Sequence, residues 1–212
     1  MKKTILGSVL VAAFFAPLAQ AAGSADDELV QRAVHVCATC HGDFGRSTDS
    51  RFPALAGQAR EYTIRQLKDF RDKSRAETDV QAYMFGISAL LSDAAIDGLA
   101  DYYSKQEPRP GLAGNASLLN QGKSIFANGM PSIGVRPCAT CHGAKAEGQT
   151  GFPRLAGQHA DYIVRQLKVF RTPLRQHGVI MKNEVRSMTE QQMKAVAEAG
   201  LAGLAAGPEA GG

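Results

Sequence analysis

The pentapeptide "CATCH" occupies residues 37–41 and returns letter for letter at 138–142. These two copies hold all four cysteines of the 212-residue chain, and each closes on a histidine, His41 or His142. Downstream, "FPALAGQAREYTIRQLKDFR" from Phe52 matches "FPRLAGQHADYIVRQLKVFR" from Phe152. The offset is 101 at the cysteines and 100 at the phenylalanines, so the copies differ there by one residue. Agreement this dense and in this order marks a tandem duplication of a unit of about a hundred residues, an ordinary domain size. "KQEPRPGLAGNAS", residues 105–117, is rich in Pro, Gly and small residues and reads as the linker, which sets domains at 22–107 and 108–212.

Each unit reads as helical. Residues 58–73 contain no Gly or Pro, and apolar Ile64, Leu67 and Phe70 recur at threes; Val164, Leu167 and Phe170 repeat the pattern. Ser92 and Thr189 stand as N-caps before "DAAIDGLADYYSKQ" and "EQQMKAVAEAGLAGL", with acids in the first turn. A helix also leads into each CATCH, "DDELVQRAV" in one copy and "SLLNQGKSIFA" in the other. No segment shows sustained strand alternation, so the predicted class is all-α, with about three to four helices per domain. Three short helices with many glycines make a modest core, which a large apolar group at the centre would steady.

The first 21 residues, "MKKTILGSVLVAAFFAPLAQA", combine Lys2 and Lys3, a short apolar run and a small-x-small site. They read as a signal peptide cleaved after Ala21, which implies export, most simply to a periplasm. Residues 22–107 carry 10 Lys/Arg against 14 Asp/Glu, a balance of −4, while residues 108–212 carry 12 against 6, a balance of +6. Such a dipole can orient the molecule toward a charged partner. No basic run interleaved with aromatics suggests nucleic acid.

In Cys-x-x-Cys-His the thiols lie about one helical turn apart, matching the two vinyl groups on one haem edge, and the next residue offers an imidazole to the iron. Cys37 and Cys40, and Cys138 and Cys141, are therefore expected to carry two covalent haem c groups, with His41 and His142 as iron ligands. A thioredoxin-like pair would want a βαβ context, a shared zinc would have to bridge both domains, and structural disulfides would leave the two matched histidines unexplained. The sixth iron position takes histidine, methionine or nothing. His35, His159 and His177 have no counterpart in the other copy. Met84 and Met181 do: each stands seven residues ahead of the matched pair Leu91 and Met188, at an offset of 97. That register favours Met84 and Met181 as ligands, and puts Met188 and Met193 opposite Leu91 and Ile96 as core. His/Met ligation closes the iron to substrates and leaves outer-sphere electron transfer.

With two CxxCH motifs, the repeated F-P-x-L-A-G-Q and the later methionines, the chain resembles the dihaem cytochrome c4 family from about Ala25 to Leu204. The resemblance implies two tandem class I cytochrome c domains forming a periplasmic electron carrier, sometimes loosely membrane-associated. Its expected partners are redox proteins such as a quinol-oxidising complex, a terminal oxidase or a dehydrogenase. It implies His41/Met84 and His142/Met181 ligation, and suggests that the Pro53 and Pro153 carbonyls accept a hydrogen bond from the histidines. Gln58, Tyr62, Gln66 and Arg71, with Gln158, Tyr162, Gln166 and Arg171, fall in its haem-edge and domain-contact segment, where some would meet propionates. The family's last helix usually carries an aromatic that packs on the first helix. Tyr102 and Tyr103 fit this, but Ala199 and Gly200 stand at those places in the second copy, so weaker packing is expected there. The tail "AGLAGLAAGPEAGG" is expected to fray. The alternatives are a dihaem peroxidase-like enzyme with one open iron and a dedicated electron-transfer subunit of a dehydrogenase or oxidase.

Overall fold

The computed structural model describes residues 25–76, 83–111 and 115–202. The segment expected to be a signal peptide and the end of the tail lie outside these residues, as does part of the segment expected to be the linker. Among the described residues there is no strand. The first half contains α1 (Ala25–His41), α2 (Arg60–Arg71), α3 (Tyr83–Ala89) and α4 (Asp93–Ser104). The second contains α5 (Ala116–Asn128), α6 (Ala139–His142), α7 (Ala160–Phe170), α8 (Val179–Val185) and α9 (Glu190–Ala202). The chain is all-α, as expected, but among the described residues the second half has one more α-helix.

The extra helix comes from a break. In the first half α1 runs unbroken through CATCH to His41. In the second, α5 stops at Gly129, whose φ of 68° reverses the chain, and a tight turn follows in which Met130 and Val135 exchange backbone hydrogen bonds. A Cβ on Gly129 would stand 2.4 Å from the Val135 carbonyl oxygen, so the turn closes only on glycine. CATCH then has its own short helix, α6.

The caps are as the sequence predicts. Ser92 Oγ accepts from the Ala95 N–H at 3.1 Å. At α9, Thr189 Oγ1 accepts from the Gln192 N–H at 3.2 Å while Gln192 Oε1 accepts from the Thr189 N–H at 2.8 Å, a reciprocal box that satisfies two orphan donors. Phe70, Leu167, Met188, Met193 and Ile96 are buried, while Ile64, Leu67, Val164 and Phe170 are half-buried. Among the described residues no single helix is long and apolar enough to cross a membrane.

In both halves the chain folds back over its histidine in the same way. The Gly45 carbonyl accepts from the N–H groups of Leu55 and Ala56, and the Ala146 carbonyl from those of Leu155 and Ala156. This pair of bonds lays the F-P-x-L-A-G-Q segment against the end of CATCH.

Candidate haem-binding site

The folded-back segments bring Pro53 and Pro153 to the two histidines. His41 Nδ1 donates to the Pro53 carbonyl at 2.8 Å, and His142 Nδ1 to the Pro153 carbonyl at 2.9 Å. The other nitrogen, Nε2, is left with its lone pair, which is what a metal ligand needs. Both imidazoles are buried, and burial lowers their pKa, against a smaller upward pull from the proline carbonyls. Each therefore stays neutral. Phe52 and Phe152 pack edge-on to the same rings, with centroids 6.2 and 6.3 Å away, and help fix their planes.

None of the four cysteines forms a disulfide. Burial raises the Cys37 thiol, and pushes Cys138 up to about 11. Both first cysteines stay protonated near neutral pH, in an apolar setting suited to a macrocycle rather than to a redox thiolate.

A cavity of about 550 Å³ is lined by residues of both halves, among them His41, Met84, His142 and Met181. A second of about 120 Å³ continues behind Cys138, Cys141, His142 and Met181. The donor set on these walls is two thiols, one neutral imidazole and one thioether per half, in mostly apolar surroundings. It fits a covalently attached haem with soft axial ligation.

Between the halves lies a contact with approximate two-fold symmetry. Gln58 holds the backbone of Arg154, taking its N–H at 2.8 Å and giving to its carbonyl at 3.1 Å. Gln158 holds Ala54 likewise, at 2.8 and 2.9 Å. Arg75 bonds Gln66 in its own half and Gln166 and Tyr162 across the interface, and Arg175 bonds Gln166 in its own half and Gln66 across. The two arginines are buried and stack on Phe70 and Phe170, at 4.4 and 4.0 Å from the ring centroids. Antiparallel backbone bonds run beside them, Ala76 N–H to Leu174 and Gln176 N–H to Ser74.

Most of the expected domain-contact residues therefore do meet at the interface. Arg71 and Arg171 do not cross it: they turn back to the Leu91 and Met188 carbonyls ahead of the last helix of their own half. Arg75 and Arg175 are the contact residues that the sequence reading missed, although they stand at the same offset of 100 as the matched phenylalanines. The unmatched histidines also have work here. His159 is buried with Nε2 3.1 Å from the Ser47 carbonyl, and His177 Nδ1 lies 2.8 Å from Asp69.

The family model for cytochrome c matches residues 28–106 and again 119–206. Cytochrome c4 of Pseudomonas aeruginosa is 36% identical over 79% of this chain and 81% of its own length. The chain belongs to the cytochrome c4 family. The crystal structure of reduced recombinant cytochrome c4 from Pseudomonas stutzeri superposes with a TM-score of 0.75 at 32% identity, over 84% of this chain and 97% of that one. A protein named thiosulfate dehydrogenase electron acceptor, from Thiomonas intermedia, is 33% identical over 76% of each chain. As a cytochrome c4 relative the chain is a dihaem electron carrier rather than an enzyme, with Cys37/Cys40 and Cys138/Cys141 as the two attachment pairs.

Proposed function

We propose that this cytochrome c4-family chain carries electrons in the periplasm through two haems ligated by His41 with Met84 and by His142 with Met181. The observation that supports the ligand assignment is the cavity lined by all four of these side chains, each methionine standing in a short helix, α3 or α8. When bound, each haem supplies a one-electron iron couple whose potential thioether ligation raises relative to bis-histidine. The protein's part is positional. The cysteines fix the group to the end of α1 or to α6, the Pro53 and Pro153 carbonyls hold each imidazole in one tautomer and orientation, and the apolar walls exclude water. With methionine in the sixth position neither site offers an open coordination place, which supports a carrier over a peroxidase.

Export is proposed from the leader at residues 1–21, cleaved after Ala21. The partner proposed first is a dehydrogenase that delivers electrons, since a relative aligned over 76% of each chain carries the name of an acceptor for such an enzyme. The −4 and +6 halves support oriented docking, so partner reduction should slow steeply as ionic strength rises.

The test is a spectroelectrochemical titration of the purified holoprotein. Two haems, low-spin spectra and a methionine-to-iron charge-transfer band are expected, with half of the band lost in Met84→Ala and the other half in Met181→Ala. A band untouched by both substitutions would sink the assignment.

A further inference from the structure

We propose that Gln58 and Gln158 are crossed positioning residues: each tunes the histidine of the opposite domain, and so ties the potential of one haem to the backbone of the other half. The proposal rests on the reading of His41 and His142 as iron ligands.

The carbonyl of Pro53 and the N–H of Ala54 belong to one peptide group. That carbonyl accepts from His41 Nδ1 at 2.8 Å, and that N–H donates to Gln158 Oε1 at 2.8 Å. The result is a continuous chain from the His41 ring, through one peptide, to a side chain of the second domain. The mirror chain runs from His142 Nδ1 through the Pro153–Arg154 peptide to Gln58 Oε1, with bonds of 2.9 and 2.8 Å. Each glutamine also donates to the carbonyl of the residue it holds, so the amide cannot be turned over without losing both bonds. Both side chains are buried, at 8% and 6% exposure, and solvent does not compete for these groups.

Hydrogen bonds in series polarise one another. A peptide whose N–H is engaged by a glutamine oxygen presents a more basic carbonyl. That carbonyl draws more strongly on the Nδ1 proton, which raises the basicity of the ligating nitrogen. A more basic ligand favours ferric iron. Removing the glutamine should therefore raise the potential of the haem in the other domain. A residue that merely helped to hold the halves together would show no such crossed sign.

The experiment is a redox titration of the holoprotein followed by NMR, which resolves the two haems, on Gln158→Leu and Gln58→Leu. Gln158→Leu should raise the first-domain midpoint by up to about tenfold in the one-electron equilibrium, about 59 mV, and leave the second nearly still; Gln58→Leu should do the reverse. In the reduced Gln158→Leu protein the His41 Nδ1 proton should move upfield, as its hydrogen bond weakens. Shifts on the haem of the substituted domain, equal shifts on both, or none, overturn the proposal. If the leucine variants do not fold, amide exchange in the unsubstituted protein decides it: Ala54 and Arg154 should be strongly protected, and exchange as fast as an exposed amide overturns the clamp. High-spin spectra from the unsubstituted protein overturn the ligand reading, and this proposal with it; low-spin spectra with uncrossed shifts overturn the proposal alone.

Discussion

The two halves solve one packing problem with their side chains exchanged. In the first, α1 meets α4 with the larger residues divided between the helices: Val30 sits over Gly98, where a Cβ would come within 2.3 Å of its Cγ2, and Tyr103, at 2% exposure, packs with Val34. In the second, the aromatic moves to the other helix. Phe126 of α5 is the aromatic buried to 1% exposure, while Gly200 of α9, at the offset of 97 from Tyr103, faces Ile163 of α7, and Gly122 lies so close to α9 that a Cβ would stand 1.9 Å from the Ala195 carbonyl oxygen. The duplication thus preserves the space between first and last helices, and leaves free which helix fills it. The expectation of weaker packing in the second half is corrected by this exchange: Ala199 is fully buried and packs toward Gly122, and the second core is the larger cluster among the described residues.

The largest effect should come from removing each half's aromatic. Phe126→Ala should destabilise the second domain by about 3–5 kcal/mol, and Tyr103→Ala the first by a similar amount. Hydrogen exchange under mild denaturant would show the loss in α5 and α9 for one variant and in α1 and α4 for the other. A loss spread evenly over both halves in either variant would break the comparison, because it would mean that the two cores are one unit.

The glycines give a sharper contrast. Gly122→Ala places its methyl against backbone, which cannot turn aside, and should cost about 1–3 kcal/mol through overpacking. Gly98→Ala meets the end of the Val30 side chain, which can rotate, and should cost less. Thermal denaturation of the two variants checks the order.

A third difference lies at the second haem site. Arg136, just ahead of Cys138, is held by Glu184 of α8 through its backbone N–H at 3.0 Å and its Nε at 2.8 Å. The guanidinium bonds hold the Glu184 carboxyl below its ordinary pKa, against the upward pull of its burial. Ile87 stands at the corresponding place in the first half and cannot make these bonds, so α8, which carries Met181, has a tie that residue 87 does not give to α3. Glu184→Gln should cost about 1 kcal/mol, given the exposure of Arg136. It should show as earlier loss of the second haem's methionine-to-iron band on denaturant titration, with the first haem's band unmoved.

Much of this was legible in the sequence because it depends on repetition. CATCH, the proline after each phenylalanine and the two N-caps all act within one half, so comparing the copies exposes them, and the matched methionines line the same cavity as the two histidines. Arg75 and Arg175 share that regularity, yet nothing in an isolated arginine says that it will be buried against its own copy across an interface. The turn at Gly129 was hidden for the opposite reason. It occurs in only one copy, so comparing the copies passes over it, although Gly129, Pro131, Gly134 and Pro137 stand between "SLLNQGKSIFA" and CATCH as helix breakers. Phe126 stands out no better in the sequence, because it lies on the first helix of its half, whereas the first half carries its aromatics on the last.

His159 supplies the smallest effect and the one most specific to a single copy, since Ala59 stands at its counterpart. Burial lowers its pKa below the ordinary 6.5, and the neighbouring Arg109 guanidinium lowers it further, while the Ser47 carbonyl pulls back more weakly. Asp49 exerts a small upward pull and stays ionised through this range, because the hydrogen bonds from Arg51 bring its pKa to about 2. Below pH 6.5 the unfolded chain then binds more protons at this site than the folded one. Stability from His159 is accordingly full above that pH and is lost as the pH falls beneath it. Between about pH 7 and pH 5 the denaturation midpoint should drop more for the unsubstituted protein than for His159→Ala, which takes the residue of the first copy. Equal slopes in the two proteins would show that the imidazole is as free to protonate within the interface as in the unfolded chain, and that this contact between the halves does not sense acid.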